Sequence, residues 1–146
     1  MADTVLVTGS SRGIGKACAL YLAKNGYDIV LHCSNDISRL DLLKSEIRKM
    51  GVNCRTLAFD VKNRAECAEK IRSDVEKNGM YYGIVINAGI AKDNPFPIME
   101  DFEWDEVLDT NLGGFYNVIK PIIMDLIQEK RGFRIVTGKQ IGRAHV

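Results

Sequence analysis

Short apolar runs alternate with amphipathic stretches along most of the chain. The runs predict β-strands at 4–7, 28–33, 54–59, 83–86 and 134–137, separated in the first half by helices at 13–25, around 40–50 and at 64–78. Ile29-Val30-Leu31 is apolar at consecutive positions, which is typical of a parallel strand buried on both faces. The β-α-β-α-β-α-β order predicts an α/β fold with a doubly wound parallel sheet and a ligand at the carboxyl ends of its strands.

The helical stretches differ in how their apolar residues are spaced. The first predicted helix has Ile14, Cys18, Tyr21 and Leu22 on one face, and the second carries Leu40, Leu43, Ile47 and Met50. After a loop with Pro95 and Pro97, apolar residues recur every three or four positions from Trp104 to Leu126 and predict one long helix. Pro121 is expected to bend it, because proline removes a backbone hydrogen bond.

A glycine-rich turn joins the first strand to the first helix. Gly9 can adopt a positive φ, Gly13 leaves room for a pyrophosphate to approach the backbone, and Gly15 allows the helix to pack closely. The free N–H groups of the helix then face the phosphates. Ile14 and Ala17 stand where a P-loop needs a glycine and a Ser or Thr, which argues against a phosphoryl-transfer site. A turn that binds no ligand stays the alternative.

Composition excludes several other classes of protein. The 146 residues predict one domain, and a net charge of +1 without a basic, aromatic patch argues against nucleic-acid binding. The polar start and the short apolar runs predict neither a signal peptide nor a membrane span. The 4 cysteines have no metal-ligand spacing and the 2 histidines lie far apart, so we expect reduced, mostly buried thiols, no metal site and a cytoplasmic protein.

Four motifs in order resemble those of the short-chain dehydrogenase/reductase family: Thr-Gly-x3-Gly-Ile-Gly from Thr8, Asp60-Val61, Asn87-Ala88-Gly89 and Thr110-Asn111-Leu112. The resemblance covers 5–137 and, within 87–126, is greatest to bacterial 3-oxoacyl-acyl-carrier-protein reductases. It implies a Rossmann-like sheet and NADPH-dependent reduction of a 3-oxoacyl-acyl-carrier-protein, or a related ketone, in fatty-acid biosynthesis. It also implies a homo-oligomeric parent, a tetramer, in which the helix around Phe115 packs against partner subunits.

The resemblance assigns the cofactor contacts to four segments. They are Thr8, Gly9, Ser10, Ser11, Arg12, Gly13, Ile14 and Gly15 in the glycine turn, Cys33 and Ser34 after the second strand, Asp60 and Val61, and Asn87, Ala88 and Gly89. Neither Cys33 nor Ser34 is acidic, and Arg12 could pair with a 2′-phosphate, so NADP is favoured over NAD. Asp36 could be the missing acidic residue if the strand runs further, and Asp60 could instead cap the next helix.

One departure and one further residue complete the comparison with the family. Ile86 replaces the first Asn of Asn-Asn-Ala-Gly, which removes side-chain hydrogen bonds that brace the central strands. Asn111 lies within a predicted helix, where asparagine is unfavourable. The family reason is catalytic: this Asn bends the helix and holds a water in the proton relay. An exposed residue without a role is the alternative.

The catalytic residues of the family are expected after the fifth strand. Family members use a Ser and a Tyr-x3-Lys pair there, but no such pair follows Thr137, and Gln140 stands at the serine position. Tyr116 and Lys120 have the spacing but lie on the wrong helix, as packing and surface residues. We therefore expect 1–137 to be a C-terminally incomplete dinucleotide-binding domain, inactive and marginally stable by itself. The alternatives are a non-catalytic dinucleotide-binding fragment or an alcohol dehydrogenase with another substrate.

The tail, 138–146, does not fit the family pattern. Residues 141–146 can be back-translated to ATC GGA AGA GCA CAC GTC, the start of a common short-read sequencing adapter. We therefore expect the tail to be an artefact of read-through, with a natural short C-terminus as the alternative.

Overall fold

The protein, seen here in a computed structural model, is described for residues 2–130 and 132–138; residues 139–146 of the predicted tail lie outside the described part. The strands are β1 Thr4–Val7, β2 Asp28–Cys33, β3 Cys54–Ala58, β4 Gly83–Ile86 and β5 Arg134–Thr137. The helices are α1 Gly13–Lys24, α2 Asp41–Lys49, α3 Arg64–Asn78, α4 Asp101–Leu108, α5 Gly114–Ile119 and α6 Ile123–Gln128. Short 3-10 helices occur at Ile37–Leu40 and Phe96–Ile98.

The five strands form one parallel sheet in the order β3-β2-β1-β4-β5. Val5 of β1 pairs with Ile29 of β2 on one side and with Gly83 of β4 on the other. The predicted doubly wound sheet is thereby confirmed. Because the chain leaves β1 toward β2 and later returns to its other side as β4, a crevice opens at the carboxyl ends of these strands.

Helices cover both faces of the sheet, and successive strand residues point to opposite layers. In β1, Val5 and Val7 belong to a buried cluster with Ala19 of α1 and Leu43 of α2. Leu6, between them, belongs to the cluster formed by residues of α3, α5 and α6. This two-sided burial explains why the strands are continuous apolar runs in the sequence.

The buried face of α1 is made of small residues. Gly15, Ala19 and Ala23 are buried, whereas Ile14 and Tyr21 are 75% and 69% exposed. A Cβ atom on Gly15 would already overlap the backbone of the glycine turn, so there is room only for small side chains beneath the helix. Of the four residues predicted to form the apolar face, Cys18 and Leu22 are half-buried and pack against the core, whereas Ile14 and Tyr21 do not.

The long helix predicted from 104 to 126 is divided. A π-helical turn, Asp109–Gly113, separates α4 from α5, and α5 ends at Ile119, so that Pro121 lies in the break before α6. The predicted bend at Pro121 is confirmed, whereas the continuous helix was wrong. None of the helices in the described part of the chain has the length and apolar character needed to span a bilayer.

Candidate functional site

A cleft of about 920 Å³ lies at the carboxyl ends of the strands, at the crevice between β1 and β4. All but three of the predicted cofactor residues line it. Those that line it are Gly9, Ser11, Arg12, Gly13 and Ile14 from the glycine turn, with Cys33, Ser34, Asp60, Val61, Asn87, Ala88 and Gly89. Thr8, Ser10 and Gly15, also predicted to contact the cofactor, are buried beneath the cleft. They therefore hold the glycine turn in its conformation and do not form part of the cleft surface.

The glycine turn has the backbone geometry that the sequence predicted. Gly9 and Gly13 have φ angles of +63° and +60°, in the left-handed region that favours glycine. Nothing lies within 4 Å of a Cβ built on Gly13, so the backbone there is open to a ligand. A Cβ on Gly15 would lie 2.6 Å from Nδ2 of Asn87 and would overlap the carbonyl oxygen of Gly9. Gly15 therefore allows α1 to begin directly against the turn.

The first turn of α1 presents its backbone to the cleft. Arg12 is the N-cap residue and forms no capping hydrogen bond through its side chain, and the first turn contains no acidic residue. Helix N-termini carry unpaired N–H groups and the positive end of the helix dipole. Together with the open backbone at Gly13, this end of α1 can hold the phosphates of a dinucleotide.

Thr8 and Asn87 connect the glycine turn to the end of β4. The Thr8 hydroxyl oxygen accepts hydrogen bonds from the backbone N–H groups of Asn87 and Ala88, both at 3.0 Å. The Asn87 side-chain amide donates to the carbonyl of Gly9 at 3.0 Å. Ile86, where the family has another Asn, is 1% exposed in the core. The strands are therefore braced by Thr8 and Asn87.

His32, near the end of β2, contacts the glycine turn from below. Its Nδ1 accepts a hydrogen bond from the Gly9 N–H at 3.0 Å, and its Nε2 lies 2.8 Å from the carbonyl oxygen of Phe59. The side chain is 2% exposed and lines the floor of the cleft. Burial lowers the pKa of His32 to about 4, although the Phe59 bond and the nearby Asp60 carboxylate act in the opposite direction.

This buried imidazole makes stability depend on pH. The folded protein holds His32 neutral down to a pKa of about 4, while the unfolded chain takes up the proton near 6.5. The unfolded state therefore binds more protons in that window, and the free energy of unfolding falls as the pH drops, by about 3 kcal/mol in total. Urea unfolding at a series of pH values measures this slope. A His32→Asn variant serves as control, and an equal slope in it would contradict the assignment.

Basic and neutral side chains surround the cleft where β2 ends. Ser34, Asn35 and Arg39 line it, and so does Arg12 of the glycine turn. Asp36, the alternative ribose ligand, instead accepts a hydrogen bond from the Ser38 N–H at 3.1 Å and caps the 3-10 helix Ile37–Leu40. Since β2 ends at Cys33, the acidic residue does not extend the strand. Arg39 also lies 3.8 Å from Oδ2 of Asp36, so within the described part of the chain Arg12 is the guanidinium here with no ion pair of this kind, and a guanidinium suits a 2′-phosphate more than a free ribose hydroxyl.

The segment after β3 is held by α5. Asn117, 5% exposed, donates to the carbonyl of Val61 at 2.8 Å, and a Cβ on Gly114 would lie 3.1 Å from the Val61 side chain. Asp60 is not the cap of α3, because Asn63 occupies that position and accepts a hydrogen bond from the Glu66 N–H. Asp60 is thus left to line the cleft.

Asn111 holds the loop after β4. Its Oδ1 accepts the Ile90 N–H and its Nδ2 donates to the Ile90 carbonyl, both at 2.9 Å. Asn111 is 8% exposed and belongs to the π-helical turn, so the exposed alternative was wrong. Its Oδ1 would lie 2.9 Å from a Cβ on Gly89, which explains the glycine there. The neighbouring Thr110, rather than Asn111, lines the cleft.

The cysteines are mostly buried. Cys33, Cys54 and Cys67 are buried and Cys18 is half-buried, all of them free, as predicted. Burial raises the pKa of Cys54 to about 11 and that of Cys67 to about 12, which keeps both unreactive near neutrality. Within residues 2–130 and 132–138, no three His, Cys, Asp or Glu side chains come together as a metal site.

Sequence reasoning missed three residues of the site. His32 was considered only as a zinc ligand, although a histidine inside a buried apolar strand already indicates a partnered side chain. Arg39 and Asn117 were not singled out, and their roles depend on contacts between segments far apart in the chain. Such contacts cannot be predicted from the local sequence.

A sequence model of the family described as short chain dehydrogenase matches residues 3–145. The chain belongs to the short-chain dehydrogenase family. It is 52% identical over 136 residues to a 3-oxoacyl-[acyl-carrier-protein] reductase of Aggregatibacter actinomycetemcomitans, an alignment that covers 93% of this chain and 56% of that protein. It is also 35% identical to an NADPH-dependent pterin aldehyde reductase of Arabidopsis thaliana, covering 98% of the chain and 59% of the relative.

Solved structures agree with this assignment. A gluconate 5-dehydrogenase of Burkholderia cenocepacia, in complex with NADP and tartrate, superimposes with a TM-score of 0.85 at 29% identity, over 92% of this chain and 52% of that one. The chain therefore spans about half the length of the relatives that it matches.

Proposed function

We propose that this chain binds NADPH in the cleft and forms the cofactor-binding part of a reductase. The observation that carries the proposal is the uncapped N-terminus of α1, which opens beside the unobstructed backbone of Gly13 into the cleft between β1 and β4. Phosphates bind at such helix ends, and dinucleotides bind at such crevices. The cofactor, when bound, supplies the hydride for carbonyl reduction.

Different residues of the cleft are proposed to bind different parts of the cofactor. The glycine turn and the start of α1 would hold the pyrophosphate, Asp60 and Val61 would contact the adenine, and Arg12 and Arg39, which also line the cleft, would bind the 2′-phosphate. Asn87 and Thr8 hold the turn in shape before any ligand arrives. This arrangement supports NADP(H) over NAD(H), because Arg12 and Arg39 line the cleft and no carboxylate of the segment directly after β2 does.

Arg12→Ala tests the choice of cofactor. We expect it to weaken NADPH binding roughly 10- to 100-fold and to leave NADH binding unchanged, since a charge-assisted hydrogen bond contributes about 1.5–3 kcal/mol. Calorimetric titration with each nucleotide measures both affinities. Lys24→Ala, at the exposed far end of the same helix, is the matched control. Equal losses for NADPH and NADH would place Arg12 away from the 2′-phosphate.

We propose that Asn111 acts by positioning the loop after β4, where the family places a water of its proton relay. Asn111→Ala removes both hydrogen bonds to Ile90, so we expect it to lower the free energy of unfolding by about 2 kcal/mol. Urea denaturation, with the exposed Asp109→Ala of the same turn as control, measures the loss. An unchanged stability would mean that the two bonds do not form in solution.

The substrate that we propose is a 3-oxoacyl group carried by acyl carrier protein, reduced to the 3-hydroxy compound. The support is the 52% identity to a reductase of that name. The pterin aldehyde reductase at 35% identity makes a different carbonyl substrate the second candidate. The matched relatives are about twice as long as the chain, so we propose this activity for a protein of the relatives' full length.

The test of the substrate is a comparison of kcat/KM for NADPH oxidation with a 3-oxoacyl-acyl-carrier-protein and with a pterin aldehyde. We expect the acyl substrate to be preferred by the protein made from the complete gene, and no turnover by the 146-residue chain. A preference for the aldehyde would reject the acyl assignment, and turnover by the chain would show that it contains its own proton donor.

We also propose that the parent enzyme is a homo-oligomer that uses the outer side of α4 and α5. Trp104 of α4, Leu112 of the π-helical turn and Phe115 of α5 are 49%, 56% and 36% exposed. Clustered apolar side chains on a surface are typical of protein–protein contacts. Sedimentation of the protein from the complete gene decides between monomer and oligomer.

A further inference from the structure

The floor of the cleft contains a buried histidine to which the binding steps above assign no part. His32 lies between the glycine turn after β1 and the segment after β3, with only 2% of its surface exposed. Its ring meets the ring of Phe59 at a centroid distance of 4.2 Å, with an interplanar angle of 47°. The ring therefore has one packed position in the fold, and both of its nitrogens have partners.

Those partners fix the tautomer. The carbonyl oxygen of Phe59 can only accept, so Nε2 of His32, 2.8 Å away, carries the hydrogen. The Gly9 N–H can only donate, so Nδ1 of His32, 3.0 Å away, carries none. The neutral Nε2–H form satisfies both contacts, whereas the other neutral tautomer places a hydrogen against a hydrogen at Gly9 and lone pairs against lone pairs at Phe59.

Gly9 is held at both its backbone N–H and its carbonyl, which belong to two successive peptide groups. His32 accepts its N–H, and the Asn87 side chain donates to its carbonyl at 3.0 Å. The next residue, Ser10, is bound to the backbone of His32: its N–H donates to the His32 carbonyl at 3.0 Å, and its hydroxyl oxygen accepts the His32 N–H at 2.9 Å. The orientation of the turn, including the open Gly13, thus depends on the end of β2.

We infer that His32, as the neutral Nε2–H tautomer, is a positioning residue for the dinucleotide: it sets the Gly9 peptide of the phosphate-binding turn and the Phe59 peptide that precedes Asp60. A site whose backbone groups are already oriented loses less entropy on binding. His32 does not touch the phosphates, and its effect on affinity acts through Gly9. The inference rests on the proposed dinucleotide binding.

Two substitutions of similar size distinguish the contribution of the hydrogen bond between His32 and Gly9 from that of the packing of the ring. Asn places Oδ1 close to the position of the His32 Nδ1 and can still accept the Gly9 N–H, whereas Leu has the same branching and no acceptor. We expect His32→Asn to bind NADPH within about threefold of the original chain, and His32→Leu to bind about tenfold more weakly or worse. Calorimetry on the 146-residue chain gives the affinities, and urea unfolding shows that each variant is folded at the temperature used.

A nitrogen-15 NMR spectrum of the unsubstituted chain provides a second readout that does not depend on any variant. We expect the imidazole signals of the Nε2–H tautomer at neutral pH, with a coupling between Nδ1 and the Gly9 amide. The Nδ1–H tautomer would overturn the inference, even if His32→Leu does not fold. So would equal NADPH affinity for His32→Leu and the original chain. If the original chain does not bind NADPH, the proposed function fails instead.

Discussion

Gly15→Ala is expected to abolish measurable NADPH binding and to lower the free energy of unfolding by about 3 kcal/mol, the upper end for an overpacked core position. The new methyl group would overlap the carbonyl oxygen of Gly9 and lie 2.6 Å from Nδ2 of Asn87. Both are backbone or firmly bonded groups, because Asn87 donates to that carbonyl. Either α1 moves away from the sheet or the turn rotates, and in both cases the phosphate-binding N–H groups leave their positions.

Gly113→Ala is the matched control for that substitution. Gly113 lies in the π-helical turn, and the nearest atom to its added Cβ is the Leu108 carbonyl oxygen at 3.8 Å, an ordinary contact. Alanine is favoured over glycine in helices by up to about 1 kcal/mol, so stability is expected to hold or rise slightly, with NADPH affinity unchanged. If Gly15→Ala binds NADPH as tightly as Gly113→Ala, the close approach of α1 to the turn is not needed for binding.

Asp74→Ala is expected to lower the free energy of unfolding by about 3 kcal/mol while leaving the NADPH affinity of the folded protein unchanged. Asp74 is 6% exposed on α3 and accepts two hydrogen bonds from Arg55 of β3, at 2.7 and 2.8 Å. The Tyr81 hydroxyl, just before β4, donates to it at 2.8 Å. Removal leaves a guanidinium and a buried hydroxyl without their acceptor. The expected loss is at the low end of the range for a broken buried ion pair, because 26% of the Arg55 side chain is exposed.

Glu69→Ala, an exposed carboxylate on the same helix, controls for the loss of one negative charge and is expected to change stability by less than about 0.5 kcal/mol. Chemical denaturation of the two variants gives the comparison. The Asp74 network lies at the end of the strands away from the cleft, near Asn78 and Tyr82. A large loss of NADPH affinity in Asp74→Ala would therefore contradict the expectation that this network stabilises the fold without affecting the cleft.

Most of the fold follows from the sequence because its signals are local. The bounds of β1, β2, β4 and β5 match the predicted ones, since each strand is a short apolar run ended by polar residues or glycine. The glycines at 26, 51 and 79, which end the first three helical segments, have φ angles of +88° to +89°. These features need no information from distant parts of the chain.

The parts that were wrong depend on contacts between distant segments. The apolar period from Trp104 to Leu126 is continuous, but it does not reveal that Asn111 bonds to Ile90 within a π-helical turn. The predicted inner face of α1 was wrong for Ile14 and Tyr21, which are exposed, and it omitted Gly15, where the close approach to Gly9 leaves no room for a side chain. Steric fit against another segment overrode the hydrophobic pattern in this helix.

The candidate site was located well from its motifs and less well in its details. The residues predicted from the glycine turn and the strand ends do gather at one cleft. The motifs do not distinguish residues that line the cleft, such as Ser11, from those that support it, such as Ser10, which is fully buried. The motifs also give no indication of His32, whose hydrogen-bond partner Gly9 is 23 positions away.

Amide chemical-shift mapping during an NADPH titration of the 146-residue chain shows whether the cleft between β1 and β4 binds the cofactor. We expect saturable shifts at Gly9, Gly13, Ser34 and Asp60, with a weaker titration by NADH. Binding in this cleft is contradicted if no amide shifts saturate, or if the shifts gather at the opposite end of the strands, around Asp28, Arg48 and Asn78.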